Sequence, residues 1–479
     1  MTEKKVYITT SIPYVNASPH IGYALEVVQA DVLKRWHALK KAHSFLLAGT
    51  DENAIKNVES AEKLGITTQE LVDKNAAEFE KLLQVLKISN DDFIRTTSDK
   101  HIKGAQKLWK LCKSSNPDDI YEETYEGLYC VGCETFYKDG EFKDNICPYH
   151  NRKLELVKEK NWFFRLSKYK KYLKDLISSD ELHIYPAFRK LELLNFIDKL
   201  EDISISRPNE RTKGWGVPVP DDSSQRMYVW FDALANYITA LNFGTDGDAY
   251  NEWWQQSTQR YHCIGKDIIK FHALYWPAML KSANLTIPTG LFVHGFINVE
   301  GKKMSKSLGN VIDPFELVKK YGLDATRYYL LREIPSLDDG DFSISRMDEL
   351  YRSDLSNELG NLLMRITTLA AKDEIHHDSP KHDVTLHPEE YAHQFEEFQF
   401  NAILEDIWKK IKQLNKETDT FAPWKKTTEE RKEFLVTMLD NLLEVGLLLR
   451  PFLPDTAAVI IKSTTADIQK GEPLFPRIS

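Results

Sequence analysis

The amino-terminal stretch constrains the fold more than any other part of the chain. Residues 6–11 read VYITTS, a short β-rich run, and Pro13, Asn16, Ser18 and Pro19 then supply turn chemistry. From His20 the apolar spacing becomes helical, with Ile21, Ala24, Leu25 and Val28 at i, i+3, i+4 and i+7. Strand, loop and helix in this order, repeated as alternating β-rich runs and amphipathic helices to about Pro117, mark an α/β protein with a parallel sheet. Such sheets bind ligands at the carboxyl ends of their strands. A helix amino terminus there presents unpaired N–H groups and a positive dipole end, a ready seat for phosphate. The buried strand at 45–48, FLLA, ends in Gly49-Thr50-Asp51-Glu52-Asn53, which places Asp51 to meet a ligand's ammonium group; a helix cap is the other use of an Asp in this position.

Far downstream, Val293 to Asn310 reads VHGFINVEGKKMSKSLGN, an apolar run giving way to a basic loop with Lys303 and Lys306 three residues apart. Two ammonium groups on a flap suit a polyphosphate, since Lys is a point charge on a flexible stem. A solvated basic turn is the plain alternative for any K-x-x-K. The full string Lys303-Met304-Ser305-Lys306-Ser307, however, resembles the second signature of class I aminoacyl-tRNA synthetases. His20-Ile21-Gly22-Tyr23 resembles the first signature in three of four positions, with Tyr where a second His is usual. Gly22 lets a base or ribose approach the backbone, because no Cβ intervenes. The loop at 49–54 is similar to the family's G-T-D-E-H-G, with Asn53 and Ala54 in its last two places.

A chain of 479 residues implies two or three domains, and a formal net charge of −9 argues against indiscriminate nucleic-acid binding while leaving room for a local basic face. No signal peptide is visible, and no apolar run approaches the ~20 residues a bilayer requires, so a cytoplasmic protein without a membrane partner is expected. The five cysteines are odd in number and clustered. Cys130-Val131-Gly132-Cys133 and Cys147-Pro148-Tyr149-His150 form two elbows supplying Cys130, Cys133, Cys147 and His150, the donor set of one closed, structural Zn2+ site. A C-x-x-C redox pair is the alternative. Cys112 and Cys263 are left as small buried hydrophobes.

These features divide the chain into a first half of the catalytic domain at 1–117, a zinc-knuckle insertion at 118–160, a second half at 161–342 and a helical domain at 343–479. Helical periodicity dominates the last segment, with Leu359, Leu362, Leu363 and Ile366, then Leu435, Met438, Leu439 and Leu442. Asn361 and Arg365 lie one turn apart on one helix face. Trp424, fixed by Pro423, offers a plate for a splayed RNA base, or alternatively a core anchor for the bundle.

The resemblance extends over essentially the whole chain and narrows to the methionine-specific members of the class. It implies a Rossmann-type catalytic domain interrupted by a zinc-knuckle connective domain and followed by an all-α anticodon-binding bundle. The implied reaction is activation of L-methionine by Mg2+-ATP and transfer to tRNA(Met) by a monomer, no dimerisation domain following the bundle. By the same resemblance, His20, Tyr23, Lys303 and Lys306 are catalytic, and Gly22, Gly265, Asp267, Lys303, Ser305 and Lys306 bind ATP. Methionine falls to Ile12, Tyr14, Asp51, Trp230, Ala233, Leu234, Tyr237, Ile268, Phe271 and His272, and the anticodon to Asn361, Arg365 and Trp424. An aromatic slot is sensible for a polarizable thioether, although each aromatic taken alone is equally a core residue. Two other functions compete: an adenylate-forming amide ligase, disfavoured by the anticodon residues, and a non-catalytic tRNA-binding protein, disfavoured by the lysine loop.

Overall fold

The computed structural model describes residues 4–130, 135–137, 140–149, 151–304, 309–377 and 388–478, with the backbone alone for residues 125, 135–136 and 388–390. The first strand, β1 (Lys5–Thr10), leads to α1 (Ile21–Leu39), which begins where Nδ1 of His20 accepts a hydrogen bond from the Gly22 amide at 3.0 Å. Then follow β2 (His43–Thr50), α2 (Ile55–Leu64), α3 (Thr68–Val85), β3 (Asp92–Arg95) and α4 (Asp99–Ser115). The stops and starts are local. Gly65 closes α2 in the left-handed region at φ 69°, and a reciprocal Thr67–Glu70 capping box opens α3.

A long antiparallel ribbon, β4 (Ile120–Cys130) with β5 (Glu155–Phe164), then carries the cysteine-rich segment at its tip. The ladder runs unbroken past residue 160, so the boundary drawn there from sequence falls inside a strand: pairing with β4 holds β5 in one piece to Phe164. The chain returns through β6 (His183–Tyr185), β7 (Gln259–Gly265) and β8 (Gly290–His294).

Six strands form one wholly parallel sheet in the order β3-β2-β1-β7-β8-β6. Both faces are covered, which is why its strands read as continuous apolar runs. Val6 and Ile8 point to the core beneath α1 and α3, while Tyr7 points to the opposite core with Leu108 and Trp109 of α4 and with Trp254 and Trp276. Strand order reverses between β1 and β7, the place where sheets of this kind form a ligand crevice at the carboxyl ends of the strands.

Beyond the sheet come α5 (Pro314–Tyr321), α6 (Leu323–Arg332), α7 (Asn361–Lys372), α8 (Phe400–Phe421), α9 (Thr428–Leu449) and α10 (Pro454–Ser463). The last segment is predominantly helical, as its periodicity predicts, but His376–His377 pairs with Ala466–Asp467 in a two-residue ladder. The bundle shares one continuous core with the α1 side of the sheet. A fully buried ion pair, Arg327–Asp31 at 2.8 Å, crosses that junction. The same guanidinium donates to the carbonyls of Leu86, Pro451 and Phe452, so the buried charge is hydrogen-bonded on several sides.

Candidate active site

The β1–β7 switch is where the residues assigned from sequence to the site come together from separate stretches of the chain. After β1 the backbone bends so that Tyr14 makes an isolated parallel bridge to Asp51 at the end of β2, and the Asp51 amide donates to the Pro13 carbonyl at 2.9 Å. Asp51 is 3% exposed and accepts from the Asn53 amide at 3.2 Å. Helix α2 starts four residues later with Ala54 as its cap, so Asp51 is not a helix cap.

One wall of the crevice is an apolar slot. Trp230 stacks face to face on Phe271, ring centroids 3.7 Å apart at 5°, and both rings are half-buried. Ile12, Trp230, Ile268 and Phe271 border a core that contains Leu234 and Tyr237, and Tyr14 joins Trp230 on a second small cluster of Ala54, Tyr228 and Val229. Ala233 is buried in the Val229–Leu234 helix beside Leu234. His272 is fixed by two contacts: Nδ1 to the Ile268 carbonyl at 2.9 Å and Nε2 to the Tyr237 hydroxyl at 2.6 Å. A carbonyl only accepts, so Nδ1 carries the proton and Nε2 receives the Tyr237 proton. Burial keeps this ring neutral by pushing its pKa down to about 4. The slot therefore holds no formal charge at neutral pH, which suits an uncharged, polarizable side chain.

The opposite wall is polar and cationic. His20 is exposed at the amino terminus of α1, and because its Nδ1 accepts from the Gly22 amide, the neutral ring presents Nε2–H outward as a donor. A Cβ on Gly22 would stand 2.9 Å from Cε1 of His20 and 3.8 Å from Cε of Met304, which shows the two signatures in contact across roughly 280 residues of sequence. Lys303 approaches the Phe296 ring at 5.7 Å, and Lys266 reaches the same ring at 4.6 Å. Gly265 ends β7, where a Cβ would meet the Asp267 carboxylate at 2.9 Å. Desolvation by the surrounding protein lifts the carboxyl pKa of Asp267 despite the pull of His294 and Lys303. Ser305 and Lys306 lie outside the described residues.

Tyr23 departs from its sequence-based assignment. Its ring is in the core, 6% exposed, edge-on to Phe79 at 5.1 Å, and its hydroxyl is buried beside Thr10. One residue past Gly22 the helix has already turned this position inward, so Tyr23 packs where a phosphate contact was expected.

Sequence reasoning missed a buried pair behind this wall. Glu26, in the second turn of α1, accepts from the amide and hydroxyl of Ser11 at 2.8 and 2.7 Å and from Nε2 of His294 at 2.9 Å. His294 Nδ1 faces the Gly295 carbonyl at 2.8 Å. Burial opposes charge on this ring, but acceptors at both nitrogens prevail and raise its pKa. His294 stands nine residues before Lys303, at the end of a strand, and a polar residue closing an apolar strand was the available signal.

Away from the crevice, Cys130 and Cys147 are buried together with Leu154 in a small cluster. Cys133 and His150 lie outside the described residues. In the bundle, Trp424 is 48% exposed and the Arg365 guanidinium lies 4.9 Å from its ring centre, held in turn by Asp419 at 2.6 Å. Asn361 is exposed at the start of α7, one turn before Arg365.

Comparison with known proteins places the chain in a family. The family model described as "tRNA synthetases class I (M)" matches residues 6–155 and 140–367. A methionine–tRNA ligase of Thermotoga maritima is 38% identical, covering 99% of this chain and 80% of the relative, and one from Brucella melitensis is 39% identical, covering 98% and 94%. The structure of Mycobacterium tuberculosis methionyl-tRNA synthetase in complex with methionyl-adenylate superposes with a TM-score of 0.90 at 32% identity, covering 99% of this chain and all of the other. With relatives at 38–39% identity and a solved structure at 32% matched over nearly the whole of its length, the chain belongs to the methionine–tRNA ligase family of class I tRNA synthetases.

Proposed function

We propose that the crevice activates L-methionine with ATP and passes it to tRNA(Met), releasing AMP and diphosphate. The observation that carries this reading is the meeting of a charge-free aromatic slot, a buried carboxylate and a cationic wall at one strand-order reversal. Asp51 holds the ammonium group of methionine, and the thioether enters the slot formed by Trp230, Phe271, Tyr237 and their neighbours. The methionine carboxylate then lies toward the phosphate wall. Its oxygen attacks the α-phosphorus, the bond to the diphosphate breaks, and a mixed anhydride forms. His20 donates to a phosphate oxygen through Nε2–H, and Lys303 and Lys306 take up charge on the departing diphosphate; this is positioning and electrostatics, with no proton transfer required. Gly22, Gly265 and Asp267 seat the nucleotide, and Ser305 belongs to the loop that closes on it. In the second step a hydroxyl of the terminal ribose of tRNA attacks the activated carbonyl and AMP leaves.

Mg2+ enters with ATP as part of the substrate. The burial of Cys130 and Cys147 in one cluster fits thiolate donors, and with Cys133 and His150 they would hold one Zn2+, which supplies structural cross-linking of the ribbon tip and no chemistry. Asn361, Arg365 and Trp424 read the anticodon. The chain acts as a monomer in the cytoplasm; among the described residues no helix is long and apolar enough to cross a membrane. Methionine-dependent ATP–diphosphate exchange, followed by charging of tRNA(Met), tests the reading. Exchange driven by another amino acid in preference to methionine would overturn it.

A further inference from the structure

The two halves of the amino-acid site come from different parts of the chain. Asp51 is on the loop after β2, and Trp230, Ala233 and Leu234 are on the Val229–Leu234 helix. Asp232 of that helix points away from the slot into the protein and is fully buried. A bare carboxylate there would be strongly unfavourable, so its partners decide where the helix sits. One oxygen meets Nε2 of His101 in α4 at 2.5 Å, and His101 continues through Nδ1 to the Thr239 hydroxyl at 2.8 Å. The other oxygen accepts from Nδ2 of Asn53 at 2.7 Å. The second proton of that amide goes to the Thr96 carbonyl at 3.0 Å, so both amide hydrogens are used. The backbone N–H of the same Asn53 donates to Asp51.

We infer that Asn53 is a positioning residue that sets the separation between the ammonium holder, Asp51, and the thioether slot, by gripping Asp51 with its backbone and the slot helix with its side chain. This rests on the reading of Asp51 and Trp230 given above. Position 53 is one of the places where this chain leaves the family's usual G-T-D-E-H-G, and an asparagine there needs no titration to keep its donors. The separation it fixes is a length gauge for the amino acid. Among the described residues the hydrogen bonds of Asn53 go to Asp51, Thr96 and Asp232 and not to the phosphate wall, so its influence falls on methionine and not on ATP.

The test is steady-state ATP–diphosphate exchange on the full chain for Asn53→Ala and Asn53→His, with methionine and ATP varied separately. Losing a donor to a buried carboxylate should raise the KM for methionine in Asn53→Ala by roughly 10-fold to 100-fold, the range for a hydrogen bond to a charged group, while the KM for ATP stays within about twofold. Selectivity for methionine over norleucine should narrow as well. Asn53→His keeps a ring N–H near the place of Nδ2 and should restore the methionine KM to within about fivefold of the parent, a rescue that a merely structural role would not give. An Asn53→Ala protein with an unchanged methionine KM overturns the inference, and so does parallel loss for both substrates. If Asn53→Ala does not fold, a histidine variant whose methionine KM rises more than tenfold overturns it equally. Asp51→Asn is the separate control: unchanged methionine use in that variant sinks the underlying reading of the site, whatever Asn53 does.

Discussion

Replacing Trp424 with Ala separates the RNA-recognition role proposed for the bundle from its role in folding. The ring is 48% exposed, so about half of the 150–250 Å² that an aromatic can bury is already covered. At about 25 cal/mol per Å², that half contributes at most about 3 kcal/mol to stability. The exposed part of the ring, which has the Arg365 guanidinium 4.9 Å from its centre, is available for a base. Base stacking on an aromatic contributes about 1–3 kcal/mol, so aminoacylation kcat/KM for tRNA should fall about 5-fold to 150-fold. Exchange of ATP and diphosphate uses no tRNA and should be unchanged. Arg365→Ala should couple to the same loss, because the guanidinium both stacks on the ring and is steered by Asp419; the double variant should be less damaged than the sum of the singles by about 0.5–1 kcal/mol. Parallel measurements of charging and exchange on the three variants decide the matter. Equal losses in both assays, or charging that survives Trp424→Ala, would refute the stacking argument.

The crevice yields further expectations. Gly22→Ala places a Cβ 2.9 Å from the His20 ring, so exchange kcat should drop about 100-fold, as for one lost preorganised donor, with only ~1 kcal/mol of helix-cap stability at stake; a variant within fivefold of the parent would count against the His20 role. Tyr23→Phe should leave exchange within a few-fold of the parent, and a 100-fold loss would return Tyr23 to the chemistry. His272 has its pKa depressed from 6.5 to about 4, so its contribution is fully present above pH 6.5 and is lost as pH falls toward 4, up to about 3 kcal/mol; urea midpoints at pH 7 and pH 4.5 should converge for His272→Gln relative to the parent. Elemental analysis should find about one zinc per chain, and stoichiometric zinc that survives replacement of both Cys130 and Cys147 would refute the assigned ligands.

Strand-loop-helix alternation, the helix start at His20 and the apolar spacing of the bundle were legible because they depend on near neighbours: period, turn chemistry and capping act over a few residues. The two signatures were legible as strings for the same reason, although only the fold brings Gly22 within reach of Met304. What the linear chain did not contain was direction. Tyr23 and His20 are three residues apart, yet the helix turns one to solvent and the other against Phe79. Trp424 read equally as core or as surface until packing left it half exposed beside Arg365. Asp232, His101, Glu26 and His294 passed as ordinary polar residues, because a buried charge is marked only by its partners, and those lie 131 and 268 residues away along the chain. Periodicity fixes which face of an element is apolar, but which buried polar groups meet behind that face is decided by how the elements dock, and docking is a property of the whole fold.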